Sequence, residues 1–209
     1  MALPISGQVG PISNNANDGA NTPFRQGHTG ELVVQELHGR YAETMARGAM
    51  FTATNQSAQA VSAALATTYT GLLIYNPPGS GILVAINKLK FALSVAPTTT
   101  ATIGIISGFA ATGGVTAATT AATIASNQVG STKRSAALAY SAATITTPVW
   151  LAELLDGFTA LAFPAPTPII DLEGAYGILP GGYIAIGALT SVTGLGSISW
   201  EELPYNVLG

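Results

Sequence analysis

The sequence predicts an all-β domain, a sandwich or barrel of antiparallel strands preceded by an extended N-terminal arm. Three observations carry that expectation. Apolar stretches of strand length recur along the chain, several alternating at period two. Gly, Pro and Thr fill the connections between them. Charged residues are 8% of the 209 residues, against an apolar fraction of 48%, so no charged amphipathic helices dominate, and a soluble domain usually carries about 25% charge.

Residues 1–30 are rich in Gly, Asn, Pro and Ser with few large apolar side chains. Such a composition buries too little to order itself and reads as an arm. Residues 31–56 form a connecting segment. Val33, Leu37, Tyr41 and Met45 recur every four residues, and Glu36/Arg40 and Glu43/Arg47 are i,i+4 pairs, as in a helix. Gly39 and Gly48 oppose it, each costing about 1 kcal/mol in a helix interior. A short helix and an irregular strand are both open here.

The sandwich is expected over 57–209. "TYTGLLIYNPPGSGILVAINKLKFALSV", 68–95, reads as a hairpin of two apolar strands broken at Pro77 and Pro78, with Gly79 and Gly81 permitting the return. In the second run Leu83, Ala85, Leu89, Phe91, Leu93 and Val95 fall on one face with Asn87 as the exception, and Val84, Ile86, Lys88 and Lys90 on the other. "TATIGIISGFA", "SAALAYSAATIT", "TPIIDLEGAYGIL", "GYIAIGALTSV" and "SISWEEL" follow as strands, about eight in all. "LPGG" at 179–182 is a turn. Leu151, Leu154 and Leu155 suggest a helical turn over 149–158, and the Ala/Thr tract 110–126 a long loop or small subdomain.

Chemistry is sparse. The net charge is −3 and no basic stripe exists, which argues against nucleic acid. Without cysteine there is no disulfide, thiolate metal site or thiol nucleophile. His28 and His38 match no metal spacing. No nucleophile elbow, phosphate loop or dinucleotide fingerprint occurs. Between Lys90 and Lys133 there is no charge, yet Pro97 and several glycines interrupt the run, so no membrane helix is expected. No catalytic, cofactor or metal residue is assigned and no enzyme is expected. Asp171 and Glu173 form the one acid pair that a hydrolase reading can use, and Trp150, Trp200, Tyr176 and Tyr183 the aromatics that a glycan-binding head requires.

The order of features resembles small structural proteins of tailed bacteriophages. They are the polar arm, "GELVVQELHGRYAETMARGAMFTA", "YNPPGSGILVAINKLKFAL", the Thr/Ala-rich middle, "ILPGGYIAIGAL" and "GSISWEELP". Head decoration or cement proteins with a jelly-roll sandwich are the nearest in texture. The resemblance implies a trimer or dimer on the capsid exterior that bridges major capsid proteins, made in the host cytoplasm, with no nucleic-acid or membrane partner. The polar side chains proposed to reach the shell or a sister copy are Glu31, Glu36, Arg40, Glu43, Arg47, Lys88 and Lys90. A receptor- or glycan-binding head of a fibre or adhesin is the alternative. A surface so poor in charge lacks the repulsion that keeps proteins apart, and its strand edges are expected to be covered by other subunits.

Overall fold

A computed structural model describes residues 39–158 and 169–205, together with two short strands nearer the N-terminus. The chain divides into two compact units, 1–42 and 43–209. In the first, β1 (Gly7–Gln8) pairs in parallel with β2 (Phe24–Arg25). The connecting segment 31–56 supplies both structures its sequence left open: a short helix, α1 (Ala42–Ala46), and then β3 (Met50–Thr54).

The second unit is a β-sandwich. After β3 come β4 (Gln59–Val61), β5 (Thr68–Tyr75), β6 (Ile82–Leu93), β7 (Ala101–Phe109) and β8 (Val115–Ala121). Then follow β9 (Thr123–Ser126), β10 (Leu138–Ile145), β11 (Val149–Phe158), β12 (Ile169–Ile178), β13 (Gly182–Ala188) and β14 (Val192–Pro204). Sheet one has the order β11-β7-β13-β5-β10-β8, and sheet two β12-β6-β14-β3-β9 with β4 also on β14. Every pairing in both sheets is antiparallel. Between them lies the core, in which Leu72, Ile74, Ile105 and Ile186 of sheet one meet Phe51, Ile86, Phe91 and Trp200 of sheet two.

The 68–95 stretch corrects the expected hairpin. Its two runs do not pair with each other: β5 lies between β13 and β10 in sheet one, β6 between β12 and β14 in sheet two. "NPPGSG" is an arch that carries the chain across the sandwich. Both strands are interior in their sheets: β5 is largely buried on both faces and has little solvent side to make polar, while β6 is apolar toward the core and turns Lys88 and Lys90 outward. Asn76 fastens the arch. Its amide nitrogen donates to the Ile82 and Ile178 carbonyls, each at 2.8 Å, and its amide oxygen accepts from the Ser80 hydroxyl at 2.6 Å. Gly181 N–H donates to the Asn76 carbonyl, so this arch is tied to the Leu179–Gly182 turn. That turn has the Gly182 N–H donating to the Leu179 carbonyl, with Gly181 at φ +94°. Positive φ at the third position after proline at the second defines a type II turn.

The alternation in β6 is also corrected. Val84 and Ile86 face the core before Asn87, and Leu89 and Phe91 after it. A β-bulge resets the period, because Ser199 pairs with Lys88 while the next residue, Trp200, pairs with Ile86. The predicted helical turn at 149–158 is strand β11. It pairs with β7 through register shifts between Trp150 and Ala152, between Glu153 and Leu155 and between Leu155 and Phe158, so its sequence does not alternate at a plain period of two. The Ala/Thr tract, expected as a loop or subdomain, is β8 and β9. Only Ala122 separates them, and there the chain steps from sheet one to sheet two along one side of the sandwich.

The middle strands of sheet one, β5, β7 and β13, are largely buried on both faces. Leu73, Tyr75, Ile106, Tyr183 and Ala185 point away from the sandwich core into a second cluster with Tyr69, Ala143 and Ile145. Aromatic rings pack against glycines there. Gly104 and Gly187 are cross-strand partners, and a Cβ on either meets the Trp150 ring. Tyr183 is opposite Gly108, where a Cβ would strike its phenol. Small residues beneath large rings let the sheet carry its own apolar cover.

Candidate functional site

The exterior has an apolar cleft beside the edge strands β11 and β12. Its cavity of about 530 Å³ is built from the end of β7, the start of β11, the end of β12 and the start of β13. Phe109 (57% exposed), Val149 (52%), Leu151 (40%) and Leu179 (44%) surround it. Large side chains so exposed and so close together are unusual on a solitary surface, and such patches mark interaction sites. Thr147, on the cleft wall, has φ +41°, a strained conformation for a β-branched residue and more so before a proline. Its neighbour holds it there. The Thr146 N–H and hydroxyl both donate to the Gly114 carbonyl, and the Tyr183 hydroxyl donates to the Thr146 carbonyl at 2.8 Å.

A second cavity, about 700 Å³, lies under the loop that joins β9 to β10 at the opposite side of the sandwich. Glu202, reaching from β14, organises this loop. Its carboxylate accepts from the Ser135 hydroxyl at 2.6 Å and from the Ala136 and Ala137 N–H groups, each at 3.1 Å. Charge-assisted bonds of this kind are stronger than neutral ones. Lys133 Nζ donates to the Arg47 carbonyl oxygen. The loop presents Val129 at 97% exposure, just before Gly130 at φ +89°.

The third region is the outer face of sheet two, which is polar. Thr52 hydroxyl and Ser199 hydroxyl are 2.8 Å apart, Thr52 donates to Asn127 Oδ1 at 2.7 Å, and Thr54 donates to Ser197 at 3.3 Å. Lys88 lies 3.6 Å from Asp171, both half-exposed, and Lys90 is exposed. Asp171 pairs with Lys88 and Tyr176 with Ile86, so four residues of β12 bulge opposite Asn87. Glu173 and Gly174, at φ +51° and +81°, form that bulge.

The structure places only part of the seven expected polar contacts. Glu31 and Glu36 lie outside the described residues, as do His28 and His38, and Arg40 belongs to the first unit. Glu43 and Arg47 form an exposed ion pair at 2.6 Å, and Lys88 and Lys90 stand on sheet two. Nor do the four aromatics surround a glycan pocket: Trp200 is in the sandwich core and Tyr183 in the second cluster. Trp150 lies on Gly104 and Gly187, and of the four only Tyr176 and the buried Tyr183 line the cleft. Asp171 and Glu173 are exposed on one strand and line neither cavity. Among the described residues no three His, Asp or Glu side chains gather as a metal site, and no helix is long and apolar enough to cross a membrane, which leaves strands unaddressed.

Sequence reasoning missed the cleft, the Val129 tip and Glu202. Val129 was legible as the lone large apolar residue in "SNQVGSTKRS". The cleft was not, because its walls come from three stretches far apart in sequence: the end of β7, the start of β11 and the β12–β13 turn. The chain matches no family model, no curated protein and no solved structure.

Proposed function

We propose that this chain is a structural subunit of a protein shell, a decoration or cement protein that binds the outside of a phage head and bridges major capsid proteins. The observation that carries the reading is the exposed apolar cleft of Phe109, Val149, Leu151 and Leu179 on an exterior nearly without charge. An apolar patch of that kind gains from burial against another protein, at roughly 25 cal/mol per Å². Strand order supports it. With β4 and the inserted β8–β10 left out, the other eight strands of the two large sheets, counted along the chain, lie as 1-8-3-6 and 2-7-4-5, an order that fits a jelly roll. A protein that binds the assembled lattice but not its separated subunits stabilises the lattice by mass action. That role asks for contact surface and no catalytic group.

Mass spectrometry of purified particles from the source of this sequence, stripped in steps, tests the reading. The chain is expected in many copies per particle, released before the shell opens. Its absence from intact particles contradicts the proposal.

A further inference from the structure

We infer that copies of this chain join head to tail, the Val129 loop tip of one entering the Phe109–Val149–Leu151–Leu179 cleft of the next. The inference rests on the assembly reading above and assigns it a contact. A projecting apolar residue and an apolar cavity occur on the same chain, on opposite sides of the sandwich. The loop joins β9 to β10 beside the β8–β9 step, while the cleft adjoins edge strands β11 and β12 at the far end of both sheet orders. Complementary patches at opposite ends of one subunit make a heterologous contact, which closes a ring or extends a row.

Charge favours the same pairing. Exposed Lys133 and Arg134 stand four and five residues past the tip, and the nearby Glu202 carboxylate is turned onto the Ser135 hydroxyl and the Ala136 and Ala137 N–H groups. Beside the cleft, the exposed side of β11 continues from Leu151 to Glu153, and that of β12 runs through Asp171 and Glu173 before it reaches the cleft at Ala175. Asp171 shares its charge with Lys88. A basic tip thus meets an acidic rim, whereas tip-to-tip or cleft-to-cleft pairing sets like charges together. The loop is also held in place for docking: Glu202 fixes its return, and Lys133 bonds to the Arg47 carbonyl. A preorganised element loses little entropy on binding.

Sedimentation of the full chain across a concentration series tests this. Wild type is expected to associate, and Val129→Asp and Val149→Asp each to weaken association more than tenfold with near-ultraviolet circular dichroism unchanged. An equimolar mixture of the two variants is expected to form dimers and nothing larger, because one retains the cleft and the other the tip. Phe109→Ser replaces Val149→Asp if that variant does not fold. Association of Val129→Asp equal to wild type, or two monomeric variants that fail to dimerise when mixed, overturns the contact while the particle inventory still decides the shell reading. A wild type that stays monomeric throughout the series overturns the contact as well.

Discussion

The two sheets have six strands each and opposite exteriors. Sheet two turns hydroxyls and lysines outward: Thr52, Thr54, Ser197, Ser199, Lys88 and Lys90. Sheet one turns Tyr69, Leu73, Tyr75, Ile106 and Tyr183 outward and leaves almost none of their surface in contact with water. The difference teaches where the missing charge went. The apolar runs at 68–95 suggested faces awaiting another subunit, but on β5 the chain covers its own outer face with the rings of Tyr69, Tyr75, Tyr183 and Trp150. Among the described residues, the apolar surfaces proposed for a partner are smaller and lie at the edges: the cleft by β11 and β12 and the Val129 tip.

Substitutions separate the two exteriors. Tyr183→Ala removes a ring that packs on Gly108 and a hydroxyl that holds the Thr146 carbonyl, and is expected to cost about 3–5 kcal/mol in chemical denaturation, the range of buried aromatic truncations. A loss under about 1 kcal/mol means that the ring is not part of a packed layer. Gly104→Ala presses a Cβ against the Ala152 carbonyl and the Trp150 ring and is expected to cost about 1–3 kcal/mol as overpacking. On sheet two, Lys90→Ala is expected to stay within about 0.5 kcal/mol of wild type, as surface substitutions do.

Alkaline titration makes the comparison without mutation. Burial raises the Tyr69 hydroxyl well above the ordinary tyrosine value of 10.0, and burial raises Tyr75, Tyr140 and Tyr183 as well. Their folded values exceed the unfolded one, so the folded state holds more protons above pH 10. The stability they contribute is complete below about pH 10 and is lost as pH rises through the folded values. Tyrosinate absorbance is expected to appear in two stages, the later one coinciding with loss of folded structure. A single reversible stage near pH 10 for all seven tyrosines means that sheet one's outer layer is open to solvent.

The sequence made the sandwich legible, because apolar runs, Thr and Gly/Pro connections survive any rearrangement of topology. Strand partners were not, since "NPPGSG" reads the same whether it closes a hairpin within one sheet or an arch between two. Period-two reasoning failed at bulges. Asn87 was visible as the residue out of pattern in β6, but not as the point where inward and outward exchange, and the shifts in β11 left that strand without a plain period of two. Ala/Thr-rich 110–126 gave no amphipathic signal because β8 is exposed along nearly all its length. The cleft had no local signature at all. Its residues converge only after the β12–β13 turn and the β7 and β11 ends meet.

Covalent footprinting of dilute and associated chain, read residue by residue, tests the central claim most directly. Tyr69 and Tyr183 are expected to stay unlabelled in both states, while Val129, Phe109, Val149 and Leu151 are labelled when dilute and protected on association. Labelling of the two tyrosines in the dilute chain, with protection only after association, contradicts the account: sheet one would then owe its cover to a neighbour.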